Sequence, residues 1–508
     1  MQPSKEIIII GSGFGGLGAA IRLASKGHRV TIYEKRDKIG GRAYQYKLDG
    51  FTFDGGPTVI TAPYMFDELF QASGRVRSDY FKLQPLDPFY RLFDTAGRQF
   101  NYQHHHPDML AEIRRHNPAD VAGYERFVRQ TKGIFQSLHP YTDQPFLRLR
   151  DMLKIMPDVL RWQGFLPTYL FVSRYIKDPF LRQALSFHPL LIGGSPFDTP
   201  ALFTLIVQFE REYGVHYAIG GTGAIVDGLG RLFAELGGQV ELNCEVSEIL
   251  IENGRAAGVR LTDGRIHRAD VVVCNGDVAF AYRHLLPAGQ RRKYTNRKID
   301  RLRYSMSLVV IYFGTRRRYP DSPLAHHNII VNQRYRGLMR DIFGSKPLAD
   351  DFALYLHMPT RTDPTIAPAG CESFYVLAPV PHLGSGTNWQ QAARPYRNKI
   401  MQFLEDNYLP NLQANIAVEH MIDPRHFQNT LNSYNGAAFS LKPSLLQSGY
   451  LRPHPQSEEF ADLYFVGAGT HPGAGIPAVL SSGKIAAELI DPTPLPIAKR
   501  SVPHVQYA

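Results

Sequence analysis

Four consecutive isoleucines, Ile7-Ile8-Ile9-Ile10, run directly into Gly11-Ser12-Gly13-Phe14-Gly15-Gly16. A short β-branched run ended by glycine reads as a fully buried central strand of a parallel sheet, apolar because both of its faces are covered. Leu17, Ala20, Ile21 and Ala24 then recur at helical spacing as far as Gly27, which predicts a helix over 17–26. Val30-Thr31-Ile32-Tyr33 is a second strand and ends in Glu34. The chain therefore opens on one βαβ unit, which places the fold in the α/β class.

This context turns a glycine pattern into a dinucleotide fingerprint. Gly11 permits the tight turn, Gly13 lets the backbone approach a pyrophosphate, and Gly16 allows the helix to pack close on the strand. The helix N-terminus supplies unpaired N–H groups and a partial positive charge for that pyrophosphate. Glu34 suits a ribose diol and repels a 2′-phosphate, which favours FAD or NAD over NADP. Just beyond it, Gly40-Gly41-Arg42 admits a cofactor's phosphates and offers Arg42 to neutralise them.

With 508 residues the chain holds roughly three domains' worth of material. A second sheet-forming block is expected over 220–277, with a helix at 225–236 and strands at 240–242, 246–251, 258–261 and 269–274, and a third over 463–490 with a strand at 463–466 and a helix at 479–490. Two long insertions separate them. The expected division is a discontinuous nucleotide-binding domain of residues 1–75, 216–289 and 441–490, a second domain of 76–215 and 290–440, and a tail at 491–508. Cys244, Cys274 and Cys371 form no CxxC pair, so a disulfide framework and a thiolate metal site are both disfavoured and a reducing compartment fits. The opening residues lack the pattern of an export signal, and every uncharged stretch is too short or too broken by Pro and Gly to span a bilayer.

The Gly40-Gly41-Arg42 doublet resembles the flavin amine oxidase superfamily. The block from Leu463 to Pro477, containing Gly467-Ala468-Gly469-Thr470-His471-Pro472-Gly473-Ala474-Gly475-Ile476, looks more narrowly like the signature of bacterial-type carotenoid desaturases, the phytoene dehydrogenase family. Phe51-Thr52-Phe53-Asp54-Gly55-Gly56-Pro57-Thr58, Leu191-Ile192-Gly193-Gly194 and Ala378-Pro379-Val380-Pro381-His382-Leu383 agree with that family. Ala218-Ile219-Gly220-Gly221 departs from its usual Pro-x-Gly-Gly. The resemblance implies a Rossmann-like FAD-binding domain of the glutathione-reductase/amine-oxidase type, with an inserted mixed α+β substrate domain and a helical membrane-associating region. It assigns FAD contacts to Gly11, Gly13, Phe14, Gly15, Gly16, Glu34, Lys35, Gly40, Gly41, Arg42, Gly55, Gly56, Pro57, Thr58, Val246, Gly467, Gly469, Thr470, Gly475 and Ile476.

It also implies dehydrogenation of phytoene, in four steps to lycopene, by hydride transfer to flavin in an apolar tunnel. Quinone or oxygen would be the final acceptor, and the enzyme would sit peripherally on the cytoplasmic face of the cell membrane. For acid–base work Asp151 is the first candidate, with Arg150 or Lys154 stabilising its charge; Glu210 and Glu212 follow, both open to salt bridging with Arg211 or other basic neighbours. His104-His105-His106 reads as a solvated loop, because three adjacent residues cannot converge on one ion, and no metal is expected. The net charge is +11, and 291–303 is the clearest basic cluster, read as a solvated helix face or a site for anionic lipid rather than nucleic acid. An FAD-dependent amine oxidase and a non-enzymatic lipid carrier on the same fold are the alternatives. The residues say nothing about oligomeric state.

Overall fold

In the computed structural model the isoleucine run forms the centre of a five-stranded parallel sheet, and residues 3–344 and 347–495 are described. The strand Glu6–Ile10 lies between Arg29–Tyr33 and Val271–Cys274; Gln239–Glu241 closes one edge and Leu463–Phe465 the other. Ile7, Ile9, Ile32 and Val273 pack under the helices, while Ile8, Ile10 and Val272 face the opposite layer. Burying each such side chain contributes about 1.5–3 kcal/mol, which is why both faces of the strand carry isoleucine.

The fingerprint helix begins at Phe14 rather than Leu17 and runs to Ser25. The helix expected at 225–236 spans Thr222–Glu235, and the last helix is longer than expected, Ile476–Ile490. The last helix packs on the first so closely that a Cβ on Gly483 would lie 2.7 Å from the Gly15 carbonyl oxygen. A three-stranded antiparallel sheet, Val246–Glu252, Arg255–Leu261 and Ile266–Arg268, covers the far layer.

Strands from both insertions meet in one seven-stranded sheet. Its order is Ile416–Ile422, Ser307–Thr315, Glu372–Val380, Leu354–His357, His327–Ile330, Tyr90–Phe93 and Gln99–Tyr102, antiparallel except where His327–Ile330 pairs with Tyr90–Phe93. A helical layer between His106 and Tyr213 packs beside it around Phe127, Phe171 and Leu185. The tail lies outside the described residues from 496 onward.

Several local expectations need correction. Only His105 of the three histidines is exposed; His106 starts the helix His106–His116 and its Nδ1 lies 3.1 Å from Arg211 Nη2. The basic segment 291–303 is not one helix face, since its helix is only Asn296–Arg301. Glu459 accepts the amides of Arg292, Lys293 and Tyr294, and Arg291 is buried against the Tyr294 carbonyl. Of the basic partners open to Glu210 it is His188 and not Arg211 that pairs with it: the buried carboxylate accepts from Tyr90 Oη at 2.7 Å and lies 2.9 Å from His188 Nε2.

Candidate functional site

The residues that follow four of the parallel strands, at 11–15, 34–36, 275–277 and 467–469, share the wall of one cavity of about 510 Å³. Ligand sites in open parallel sheets form at these carboxyl ends, where loops diverge and leave a crevice. Gly11 has φ +89° and its amide donates to the Tyr33 carbonyl at 2.8 Å, which turns the chain sharply off the strand. A Cβ on Gly16 would sit 2.3 Å from the Gly11 carbonyl oxygen, so that position holds the helix against the turn instead of facing the cavity. The fingerprint helix has no side-chain cap and no acid in its first turn, leaving its N–H groups open to an anion.

Glu34 is buried beside this turn. Its carboxylate accepts from the Ser12 amide (2.9 Å), Ser12 Oγ (2.6 Å) and the Arg36 amide (3.0 Å). The glycine doublet lies against the fingerprint: a Cβ on Gly41 would be 3.2 Å from Gly13 Cα. Arg42 donates from Nη2 to Ser433 Oγ at 2.8 Å, and burial lowers its pKa while the charge of Asp277 opposes the fall. Burial likewise pushes the Asp54 carboxyl up to about 6, against hydrogen bonds from the Thr222 amide, Gln45 and the Gly223 amide.

Beyond this polar end the wall becomes apolar, with Leu190, Ile206, Leu308, Ile329, Leu377 and Ile422 all lining it. On the same wall Thr58 Oγ1 bonds Tyr375 Oη (2.7 Å) and Tyr355 Oη (2.9 Å). Burial drives both phenols well up from their ordinary pKa, so they remain protonated. The arrangement can hold a dinucleotide at one end and a long apolar molecule at the other.

A family model described as flavin containing amine oxidoreductase matches residues 14–491. The chain is 47% identical over 491 residues to a lycopene-forming phytoene desaturase of Pseudescherichia vulneris, covering 96% of this chain and 99% of that one. A lycopene-forming phytoene desaturase of Pantoea ananas is 44% identical over 488 residues, with 96% and 99% covered. The chain belongs to this family. Its fold is also that of a putrescine oxidase solved with putrescine bound, at a TM-score of 0.65 and 13% identity, covering 96% of this chain and 99% of that one.

The cavity wall carries polar groups that the cofactor of a flavin containing family would complete. Arg42 Nε, Asp277 Oδ2 and Ser440 Oγ are buried on that wall with no protein partner. Buried polar groups are nearly always paired, so these three fit a polar ligand that completes them. Together with the uncapped helix and Glu34, they fit FAD.

Of the residues expected to hold FAD, Gly11, Gly13, Phe14, Gly15, Glu34, Lys35, Gly40, Gly41, Arg42, Gly55, Gly56, Pro57, Thr58, Val246, Gly467, Gly469, Gly475 and Ile476 all line the cavity. Gly16 and Thr470 do not: Thr470 is buried and its hydroxyl donates to the Pro453 carbonyl at 2.6 Å. Arg150, Asp151 and Lys154 lie away from the cavity on the helix Leu149–Arg161. There Asp151 accepts the Arg148 amide at 3.1 Å and pairs with Lys154 at 3.6 Å, the behaviour of a first-turn carboxylate closing a helix start. Glu210 and Glu212 are also absent from the wall.

Sequence reasoning passed over Asn275, Asp277 and Arg452. Asn275 Nδ2 donates to the Gly11 carbonyl at 3.2 Å, and its side chain packs against Gly15 and Gly467, joining the first and last blocks. The carboxyl-end rule, applied to the strand ending at Cys274, would have found Asn275 and Asp277. Arg452 is buried and donates to four carbonyls, those of Thr470, Gln447, Leu441 and Ala468, at 2.6–3.1 Å. Burial pushes its pKa down to about 10. No short motif marks it.

Proposed function

We propose that this protein is an FAD-dependent desaturase that converts phytoene to lycopene in successive steps at a membrane surface. The observation that carries the reading is the cavity, in which a dinucleotide cradle and an apolar arm are continuous. Each desaturation removes hydrogen from two adjacent carbons, one as hydride and one as a proton that passes to a base or to water. Bound FAD would supply the hydride acceptor. The bond to be oxidised sits beside an existing polyene, which spreads the developing positive charge, so the protein's main task is to hold that carbon in place and dry. Glu34 would bind the ribose and Arg42 the phosphates. The phenols of Tyr355 and Tyr375 hold Thr58 on the cavity wall, and the aliphatic lining grips the chain and excludes water.

A substrate that dissolves in bilayers must be collected from one. No helix of the described residues is long and apolar enough to cross a membrane. The helix Leu149–Arg161, however, exposes Leu149 (55%), Leu153 (60%) and Leu160 (58%) along one face; Phe165 and Leu170 are exposed just after it in the chain, and Leu451 on a turn that packs against it. Arg148, Arg150, Lys154 and Arg161 are exposed on the same segment. An apolar face fringed by cations is what an interfacial helix requires, and this reading gives Arg150 and Lys154 lipid headgroups as partners.

The test is an anaerobic absorbance experiment on the FAD-loaded protein with phytoene in liposomes, followed by added quinone. Bleaching of the flavin with growth of visible polyene bands, then flavin recovery on quinone addition, is expected. Reduction by amines instead would put an amine oxidase in its place, and a chain that folds without holding flavin would favour a lipid carrier.

A further inference from the structure

His326 and His327 stand at the start of the strand His327–Ile330, and His357 ends the neighbouring strand Leu354–His357. His327 and His357 are register partners, so antiparallel pairing sets their side chains on one face. His326 lies just ahead of its strand and turns onto His357, with the two Nε2 atoms 2.9 Å apart. One ring nitrogen from each of the three lies within 4.8 Å of the other two, and all three rings are buried.

The outer nitrogens are held in place. His326 Nδ1 is 2.7 Å from Thr362 Oγ1, and His327 Nδ1 is 2.7 Å from Tyr355 Oη. His327 Nε2 and His357 Nδ1 are buried with no partner, as is the hydroxyl of Tyr217, whose ring centroid is 4.7 Å from that of His326. Leaving such atoms unpaired costs about 1–3 kcal/mol each, and a ligand at His327 Nε2 would remove that cost there.

We propose that His326, His327 and His357 form a three-histidine site for a zinc-class transition metal ion, with water completing its coordination, linking two strands of the seven-stranded sheet. Imidazole nitrogens select zinc or its first-row neighbours over calcium and magnesium, which require oxygen ligands. Zinc bonds of about 2.0–2.1 Å place tetrahedral ligands about 3.3 Å apart, so the rings need only close by about 1–1.5 Å. The hydroxyls of Thr362 and Tyr355 orient two of the imidazoles from behind, as groups behind metal-bound histidines do. Because Tyr355 also bonds Thr58 and both line the cavity, the site would brace the cavity wall.

The experiment uses the full chain with its flavin, stripped with a chelator, equilibrated with zinc chloride and desalted. Metal is counted by mass spectrometry and the melting temperature is recorded with and without zinc. About one retained zinc per chain is expected, with a higher melting temperature, and both should vanish in the double variant His327→Gln/His357→Gln. Thr362→Val keeps the three imidazoles and removes only an orienting hydroxyl; it should bind zinc about 10–100-fold more weakly at unchanged flavin content, and it decides the matter if the double variant fails to fold. Absence of retained zinc in the parent protein, equal retention in the double variant, or unchanged affinity in Thr362→Val would overturn the site.

Discussion

Arg452 shows how one side chain can hold a loop it does not belong to. Its guanidinium ties the carbonyls of Ala468 and Thr470 to those of Leu441 and Gln447, with no carboxylate among these acceptors. Arg452→Met should strand several buried carbonyls and cost about 3 kcal/mol or more, read as a drop in melting temperature together with loss of bound flavin. Asp54 makes the opposite kind of contribution. Its folded-state pKa is raised from 3.8 to about 6, so the fold binds the proton more tightly than the unfolded chain does. Stability from this group therefore falls as pH rises from about 4 to 6, by roughly 3 kcal/mol at most, and stays lower above that window. Asp54→Asn should raise the melting temperature at pH 8 and have little effect at pH 4, as measured by thermal unfolding across that range. At this scale the sequence was legible wherever a residue acts through its own backbone, as Gly11 and Gly13 do. It was less legible where direction matters: Thr470 sits in the signature block yet points to Pro453, and periodicity does not say which way an irregular loop turns its side chains.

At the scale of the element, the helix Leu149–Arg161 changes meaning once its surroundings are known. Arg150, Asp151 and Lys154 read in sequence as a charge set fit for proton transfer, but the tertiary structure places the helix on the surface with three leucines facing outward. Replacing Leu149, Leu153 and Leu160 with glutamate should abolish co-sedimentation with anionic vesicles while leaving flavin content unchanged; reversing the charges of Arg150 and Lys154 should weaken it and reduce its salt dependence. Strands and helices with strong periodicity were readable to within a few residues. The short elements of the segment 291–303 were not, because their form is set by Glu458 and Glu459, more than 150 residues away in the chain.

For the whole molecule, the cavity joins segments from the beginning, middle and end of the chain, so a ligand spanning them should stabilise the native state as a unit. Removing flavin should lower the melting temperature, and titrating FAD back should restore it by RT ln(1 + [L]/Kd), about 2.7 kcal/mol at a hundredfold excess over Kd. The sequence by itself determined the parallel sheet, the dinucleotide turn and the family signature, because each depends on neighbouring residues: β-branched runs, glycines that accept a tight turn, an acid at a strand end. Only the tertiary structure decided which polar groups face the cavity, that strands from both insertions share one sheet, and that His326, His327 and His357 converge. Those facts depend on contacts between residues far apart in the chain, which no local pattern encodes.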